Sequence, residues 1–520
     1  MKVIHDTGEP DILIPSEGTY PYVRGGVSSW IAQLMAGLPQ YKFGIVFIGS
    51  KREEYSPKPL FPFPDNLVYV VETFMFDEEE KPPIKAINGN PENFEELEKL
   101  YQWFRNDDGK VSFPKEVKSL DFYLKKITES EFLFSREAWF FISNKNTLNC
   151  SEIPFLDYFW TVRSIHIPIW KVAQLAKVVK DKGRVLHSPS TGYAGLLATI
   201  VAHDTGKPFI LTEHGIYTKE RKIDLISSSL NHYKKLNLFR ESAEDNYIQS
   251  MWVRFFEGIG KMSYEKANPI LSLFGVAKET QIAYGANPDL CTVIPNGVDV
   301  HKLGATLKNR PEGIPKVITL IGRVVSIKDI KTFIRAIRVV SLTIPDVEAW
   351  IVGPDDEEKG YAQECRELID IIGVEENIKF LGFQNIADIL PKSGVLTLTS
   401  ISEGMPLVIL EGFAAGVPCV ATDVGSCKEL VYGGEDPADK ALGSAGSVCQ
   451  IANVGDLAKG YIELLTNEER WLEAQDIAIK RVNTFYTQEL FLNNYQKIYD
   501  DTFSKLENSS EQASGKPWQE

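Results

Sequence analysis

Four short stretches of this sequence combine residue types that can bind sugars and phosphates. The first is SEGMPLVILEGFAAGVPCVATDVGS, residues 402–426. It places Glu403 just ahead of an expected helix start and Glu411 eight residues further on. Pro406 suits a first helical turn, and Gly404, Met405 and Pro406 stand where a helix start directs its unbonded N–H groups outward. Two carboxylates at one strand end can accept hydrogen bonds from sugar diols. The plainer alternative is a capped amphipathic helix with two incidental glutamates. The second stretch is IGRVVSIKDIKTFIRAI, residues 321–337, where Arg323 and Lys328 flank a loop entering a helix. Two cations and a helix N-terminus suit a diphosphate; a solvated loop is the alternative.

The third stretch, YPYVRGGVSSW at residues 20–30, sets Gly25 and Gly26 just before a helix. Glycines there let backbone approach a phosphate closely. The pattern is not G-x-G-x-x-G, so it makes no dinucleotide fingerprint. The fourth, LTEHGIYTKER at residues 211–221, places His214 after the apolar run PFILT. A histidine at a strand end can hydrogen-bond a hydroxyl or phosphate, although a lone histidine is more often a structural residue. Lys219, Arg221 and Lys222 would make its surroundings locally basic, or form a solvated helix start.

These residues need elements to position them, and the rhythm of the chain supplies α/β units. Asp11–Pro15, Tyr41–Ile48, Gly183–His187, Pro208–Thr212, Ala267–Ser272 and Cys291–Pro295 read as strands. A helix with apolar Val27, Trp30, Ile31, Leu34 and Leu38 lies between the first two, making a strand–helix–strand unit. Residues 51–165 and 219–268 read as mostly helical insertions. Beyond the polar segment 308–315, the best linker candidate, strands are expected at 317–321, 349–352, 378–380, 395–398, 418–421 and 445–448. The expected organisation is an N-terminal domain over 1–307 and a C-terminal domain over 308–483. Helices over 484–508 and a disordered tail over 509–520 complete it. Every motif falls at the end of an expected strand, where ligands bind in doubly wound sheets.

Composition sets outer limits. The 520 residues are 43% hydrophobic and 24% charged, enough for two buried cores. The net charge of −15 argues against non-specific binding to nucleic acid. Cys150, Cys291, Cys365, Cys419, Cys427 and Cys449 form no CxxC pair, so buried thiols in a reducing compartment are expected. No apolar run reaches membrane-spanning length, and Asp6, Glu9 and Asp11 interrupt the N-terminus where a signal peptide needs an apolar core. The chain reads as cytoplasmic, with docking on the inner face of the cytoplasmic membrane left open. Asp355–Asp356, in a loop after IVGP, is an acidic pair that could suggest a metal, but no metal is expected.

Together the motifs resemble the family 4 retaining glycosyltransferases of the GT-B fold. The resemblance is most specific where IPNGVD (294–299), the Arg323/Lys328 loop and the 402–426 segment follow in order. It implies two Rossmann-like domains facing a cleft, closure on the donor, and final helices that cross back to the N-terminal domain. It further implies that Arg323 and Lys328 bind the donor diphosphate and that Glu411 holds the ribose. Glu403, with backbone N–H groups between Gly404 and Leu407, would hold the donor sugar. Gly25 and Gly26 would touch the phosphate side, His214 would stand near the reacting sugar, and Phe383 and Gln384 would meet the base. The implied donor is a UDP-sugar with no further cofactor. The implied acceptor is a growing exopolysaccharide, made with an inner-membrane synthesis complex. Competing expectations are another GT-B enzyme, such as a nucleotide-sugar epimerase or glycogen synthase-like polymerase, and a non-catalytic scaffold.

Overall fold

The computed structural model describes residues 1–77, 85–105, 114–149, 154–221 and 243–514. Chain contacts divide it into two units. One comprises Met1–Leu271, Glu279–Thr292 and Ile498–Glu520; the other comprises Ser272–Lys278 and Val293–Lys497.

Among the described residues, the first unit is built on eight strands: β1 (Lys2–Asp6), β2 (Ile12–Glu17), β3 (Phe43–Gly49), β4 (Leu67–Phe74), β5 (Val185–Ser188), β6 (Phe209–Glu213), β7 (Ile270–Ser272) and β8 (Cys291–Val293). Their order is β1-β4-β3-β2-β5-β6-β7-β8, with β1 antiparallel to β4 and β2 parallel to both β3 and β5. The chain reverses its direction of travel between β2 and β5, which makes that gap the switch point of this sheet. Strand β3 is buried at every position, as a parallel strand covered on both faces should be. Two strands were absent from the sequence reading. β4 lies inside the stretch read as mostly helical, because FPFPDN and FDEEEKPP surround its apolar run. β1 is a largely exposed edge strand with little apolar patterning to reveal it. The rest of that insertion is helical where described, chiefly Pro91–Arg105, Glu129–Phe134, Arg136–Asn149 and Phe155–Val179.

The second unit has six strands: β9 (Val317–Ile321), β10 (Glu348–Val352), β11 (Ile378–Gly382), β12 (Val395–Leu398), β13 (Cys419–Thr422) and β14 (Gly446–Cys449). They lie in the order β11-β10-β9-β12-β13-β14. All recorded pairings are parallel. Numbered within the unit this is 3-2-1-4-5-6, a doubly wound sheet whose switch point lies between β9 and β12. The helix Ile330–Ser341 buries Ile330, Phe333, Ile334, Ile337 and Val340, the three-and-four spacing of one helical face. Full burial of each such side chain is worth roughly 1.5–3 kcal/mol, so this face anchors the loop that precedes it.

The polar segment at 308–315 lies within the second unit, and the unit boundary falls earlier, at Thr292/Val293. Side-chain and backbone bonds account for this. Arg310 donates to the carbonyls of Ser393 (3.1 Å) and Ala415 (3.0 Å), and Val298 N–H donates to Tyr486 O (3.0 Å). The last helix, Gln488–Ser514, changes membership at Ile498. Beyond that point Tyr499 bonds His187 at 2.7 Å, and Asp500 accepts from Tyr41 at 2.5 Å. The helix runs past Asn508, where the sequence reading began its tail, because no Gly or Pro interrupts it before Gly515. Cys150 and Lys222 lie outside the described residues. The other five cysteines are buried.

Candidate active site

In the C-terminal unit, the motif residues gather at the carboxyl ends of the strands. Arg323 and Lys328 follow β9, Phe383 and Gln384 follow β11, and Ser400 and Glu403 follow β12. The strand ends themselves are packed backbone to backbone. Gly353, after β10, has φ +148°, and a Cβ there would stand 2.0 Å from Gly322 O. Only glycine fits such an approach.

The switch point is bridged by one ion pair. Lys328 Nζ donates to Glu403 Oε1 at 2.5 Å, and Ser400 Oγ donates to the same oxygen at 2.6 Å. Backbone bonds fix the two loops to each other: Thr399 Oγ1 donates to Lys328 O (2.8 Å) and Ile401 N–H to Ile327 O (2.9 Å). The turn after Glu403 is clamped from two more sides. Ser426 N–H donates to Gly404 O at 2.9 Å, and Asn296 N–H, from the IPNGVD stretch, meets Met405 Sδ at 3.3 Å. Gly425 sits at φ +53°, where a Cβ would lie 2.1 Å from Gly404 O.

Three details differ from the sequence reading. The helix that follows Glu403 begins at Leu407, so Pro406 is the residue before the first turn and not within it; no side chain caps this end. With no side-chain cap, this helix start has the first-turn N–H groups that can serve a hydroxyl or anion. The second helix start is closed instead: Lys328 ends a short 3-10 turn, and Asp329 caps the helix Ile330–Ser341 by accepting from Thr332 N–H at 3.3 Å. A carboxylate already fills the position offered there to a phosphate. Thirdly, both cations are engaged. Arg323 donates through one nitrogen to both oxygens of Glu357 at 2.6 Å, and Lys328 is held by Glu403.

Glu411 stands one turn into the helix Leu407–Ala414. Its carboxyl has no hydrogen-bond partner among the described residues, and burial pushes its pKa up from 4.5 to about 6. Phe383 is 75% exposed beyond edge strand β11, and Gln384 donates to Leu381 O at 2.8 Å. An exposed ring at this sheet corner is a ready stacking surface. Asp355 is paired with Arg366 at 2.5 Å. Among the described residues, no group of three His, Cys, Asp or Glu is placed to hold a metal ion.

The N-terminal unit carries a cavity of about 830 Å³ at the carboxyl ends of β2, β3, β5 and β6, around that sheet's switch point. His214, directly after β6, lines it. The imidazole packs edge-on against Trp30, with ring centres 4.7 Å apart. Its Nε2 is buried without a hydrogen-bond partner, and desolvation pushes its pKa down to about 3. The ring is therefore neutral across the physiological range. Gly25 and Gly26 lead into the helix Gly26–Gly37, which no side chain caps. A Cβ at either glycine would meet nothing within 4 Å, so the space above this helix start is open. Arg221 lies over the Tyr217 ring at 5.0 Å, and Lys219 is exposed.

Several residues of this cavity escaped the sequence reading. Glu17, at the end of β2, accepts from Tyr217 Oη (2.6 Å) and from Ala194 N–H (3.3 Å), fixing the next helix start. Tyr193, Trp252 and Phe256 supply an aromatic wall. Beneath His214, buried Glu213 accepts from Thr191 (2.9 Å), Tyr264 (2.6 Å) and Gln281 (3.1 Å), and burial still raises its pKa. The strand-end rule could have flagged Glu17. Trp252 and Phe256 come from a distant helix and give no local signal.

Residues 10–289 match the family described as "Domain of unknown function (DUF3492)", more than half of the chain. The chain belongs to that family. Residues 315–467 match "Glycosyl transferases group 1". Among curated relatives, the chain is 31% identical over 136 residues to N-acetyl-alpha-D-glucosaminyl L-malate synthase of Bacillus anthracis, covering 26% of this chain and 33% of that one. It is 27% identical over 271 residues to UDP-Gal:alpha-D-GlcNAc-diphosphoundecaprenol alpha-1,3-galactosyltransferase of Escherichia coli, covering 48% and 61%. The chain thus spans about a third to three fifths of the length of these relatives. Among solved structures, sucrose-phosphate synthase of Thermosynechococcus elongatus aligns with TM-score 0.58 at 14% identity, over 95% of this chain and 99% of that one. Anabaena Alr3699/HepE, solved with UDP and glucose, aligns with TM-score 0.56 at 14% identity, over 94% and 99%. The fold of this DUF3492 member is GT-B, with a group 1 glycosyl transferase domain in its C-terminal half. Among its described residues no helix is long and apolar enough to cross a membrane.

Proposed function

We propose that this chain is a retaining glycosyltransferase that moves a hexose or N-acetylhexosamine from a UDP-sugar to a growing exopolysaccharide. The observation that carries the reading is the Lys328–Glu403 pair across the β9/β12 switch point, beside uncapped N–H groups. In this reading Arg323 and Lys328 receive the diphosphate and stabilise the charge that builds on it as the anomeric C–O bond breaks. Glu403 and the N–H groups from Gly404 to Leu407 hold the sugar hydroxyls. Glu411 accepts from the ribose diol, and the exposed Phe383 with Gln384 meets the uracil. Gly25 and Gly26 offer an open backbone approach on the phosphate side.

The N-terminal cavity takes the acceptor end. Its aromatic wall suits a sugar ring face, and Glu17 suits ring hydroxyls. Neutral His214 donates or accepts one hydrogen bond near the reacting sugar without adding charge. Retention follows from attack on the face that the leaving group vacates, with the departing phosphate oxygen taking the acceptor's proton. No carboxylate is assigned as a nucleophile, since Glu403 is engaged by Lys328 and Ser400.

The motifs EGTYPYVRGGVSSW and TEHGIYTKER resemble PelF, the cytosolic transferase of Pel exopolysaccharide synthesis, so the proposed product is a Pel-type polymer. The proposed setting is the inner face of the cytoplasmic membrane, with a membrane synthesis complex as partner. UDP complexes of the structural relative HepE support the choice of nucleotide. Calorimetric titration with UDP, ADP and GDP in EDTA tests the reading. We expect UDP alone to bind, and UDP-sugar turnover to follow. Equal binding of all three, or of none, would reject it.

A further inference from the structure

The loop after β10 places one carboxylate on Arg323, to which the diphosphate is assigned, and a second on the turn that leads to Lys328. Glu357 takes Arg323, with both carboxylate oxygens 2.6 Å from one guanidinium nitrogen. Glu358 takes the start of the 326–328 turn, accepting from Ser326 N–H at 3.0 Å and from Ser326 Oγ at 3.3 Å. Both glutamates therefore satisfy donors of the phosphate loop in the way phosphate oxygens would. The Arg323–Glu357 pair is half exposed on each side, at 50% and 53%. Exposed pairs of this kind are weak, so a phosphate can displace the carboxylate. Weakness does not remove it: the displaced charge stays tethered beside the site.

We infer that Glu357 and Glu358 are specificity-determining residues of the phosphate subsite, which limit how much negative charge the bound ligand carries. The inference rests on the donor-site reading above. A sugar-linked nucleoside diphosphate has one phosphate oxygen esterified and carries one negative charge fewer than the free nucleoside diphosphate. The tethered carboxylates repel the second more than the first. They thus favour the intact donor over the spent product and re-engage Arg323 and Ser326 as the product leaves. Lys328 and Glu403 do not serve this purpose, because they lie more buried and across the switch point.

The test compares wild type, Glu357→Gln, Glu358→Gln and the double variant in calorimetric titrations with UDP, UDP-glucose and UDP-N-acetylglucosamine. Both side chains lie in a loop and outside the core, so the variants are expected to fold, and their circular dichroism and thermal transition check it. Each single change should tighten UDP about two- to fivefold, the range a surface charge pair allows. The sugar-linked ligands should tighten less than half as much. The gap should close at 0.5 M salt, where exposed charges are screened. Equal tightening of all ligands would overturn selectivity, and unchanged or weaker UDP binding would overturn competition. Failure of wild type to bind UDP would reject the donor-site reading itself and this inference with it.

Discussion

Glu411 gives the sharpest test of the donor site. Its carboxyl is desolvated and lacks a partner, which raises its pKa from 4.5 to about 6. At 1.36 kcal/mol per pH unit, ionised Glu411 costs the folded chain about 2 kcal/mol. The sign is that of a raised acid: the cost is fully present above pH 6, shrinks as pH falls, and is gone below pH 4.5. Glu411→Gln should therefore stabilise the protein by about 2 kcal/mol at pH 8, and by much less near pH 5. For a domain of this size that is a rise of roughly 4–8 °C in the thermal transition. The ribose diol that Glu411 is proposed to hold would supply the missing donors and lower its pKa in the complex. UDP should then bind more tightly as pH rises from 5 to 7, with proton release seen in buffers of different ionisation enthalpy. Glu411→Gln should flatten that profile and weaken UDP about tenfold or more, since hydrogen bonds to a charged acceptor are worth about 1.5–3 kcal/mol. A variant that is no more stable at pH 8 and binds UDP as wild type does would refute both halves of the argument.

Three further outcomes are expected. Lys328→Ala removes the cation at the switch point and leaves Glu403 facing the phosphates, so UDP affinity should fall by about tenfold or more in calorimetry. His214→Ala should leave UDP affinity unchanged and lower turnover; because burial holds its pKa near 3, the wild-type rate profile should show no histidine inflection between pH 5 and 8. Gly425→Ala would push a Cβ to 2.1 Å from Gly404 O at positive φ, and denaturant unfolding should show a loss of about 3 kcal/mol.

The C-terminal sheet was readable because each of its strands is a short apolar run with a helix after it. All six were expected close to where they lie. β4 was missed because its flanks are rich in Pro and acidic residues, and β1 because an edge strand needs no apolar pattern. The site was legible as types of residue but not as partners. Arg323 and Lys328 are recognisable cations in a loop, yet nothing local announces that Glu357, 34 residues on, would engage one of them. The helix start at Ile330 looked open in sequence, and Asp329 closes it. Trp252 and Phe256 join His214 in one cavity although a long stretch of chain separates them.

What the sequence determined by itself is the periodicity: apolar strands, amphipathic helices, and charged or glycine-rich turns at strand ends. Periodicity is a local property, enforced by backbone geometry and burial, so it survives without knowledge of neighbours. Strand order belongs to tertiary structure, because it depends on which apolar faces are covered together. That order sets β12 beside β9, and so sets Glu403 against Lys328. The raised pKa of Glu411 and the lowered pKa of His214 arise from burial in the folded chain, and His214 packs there against Trp30, far away in the sequence.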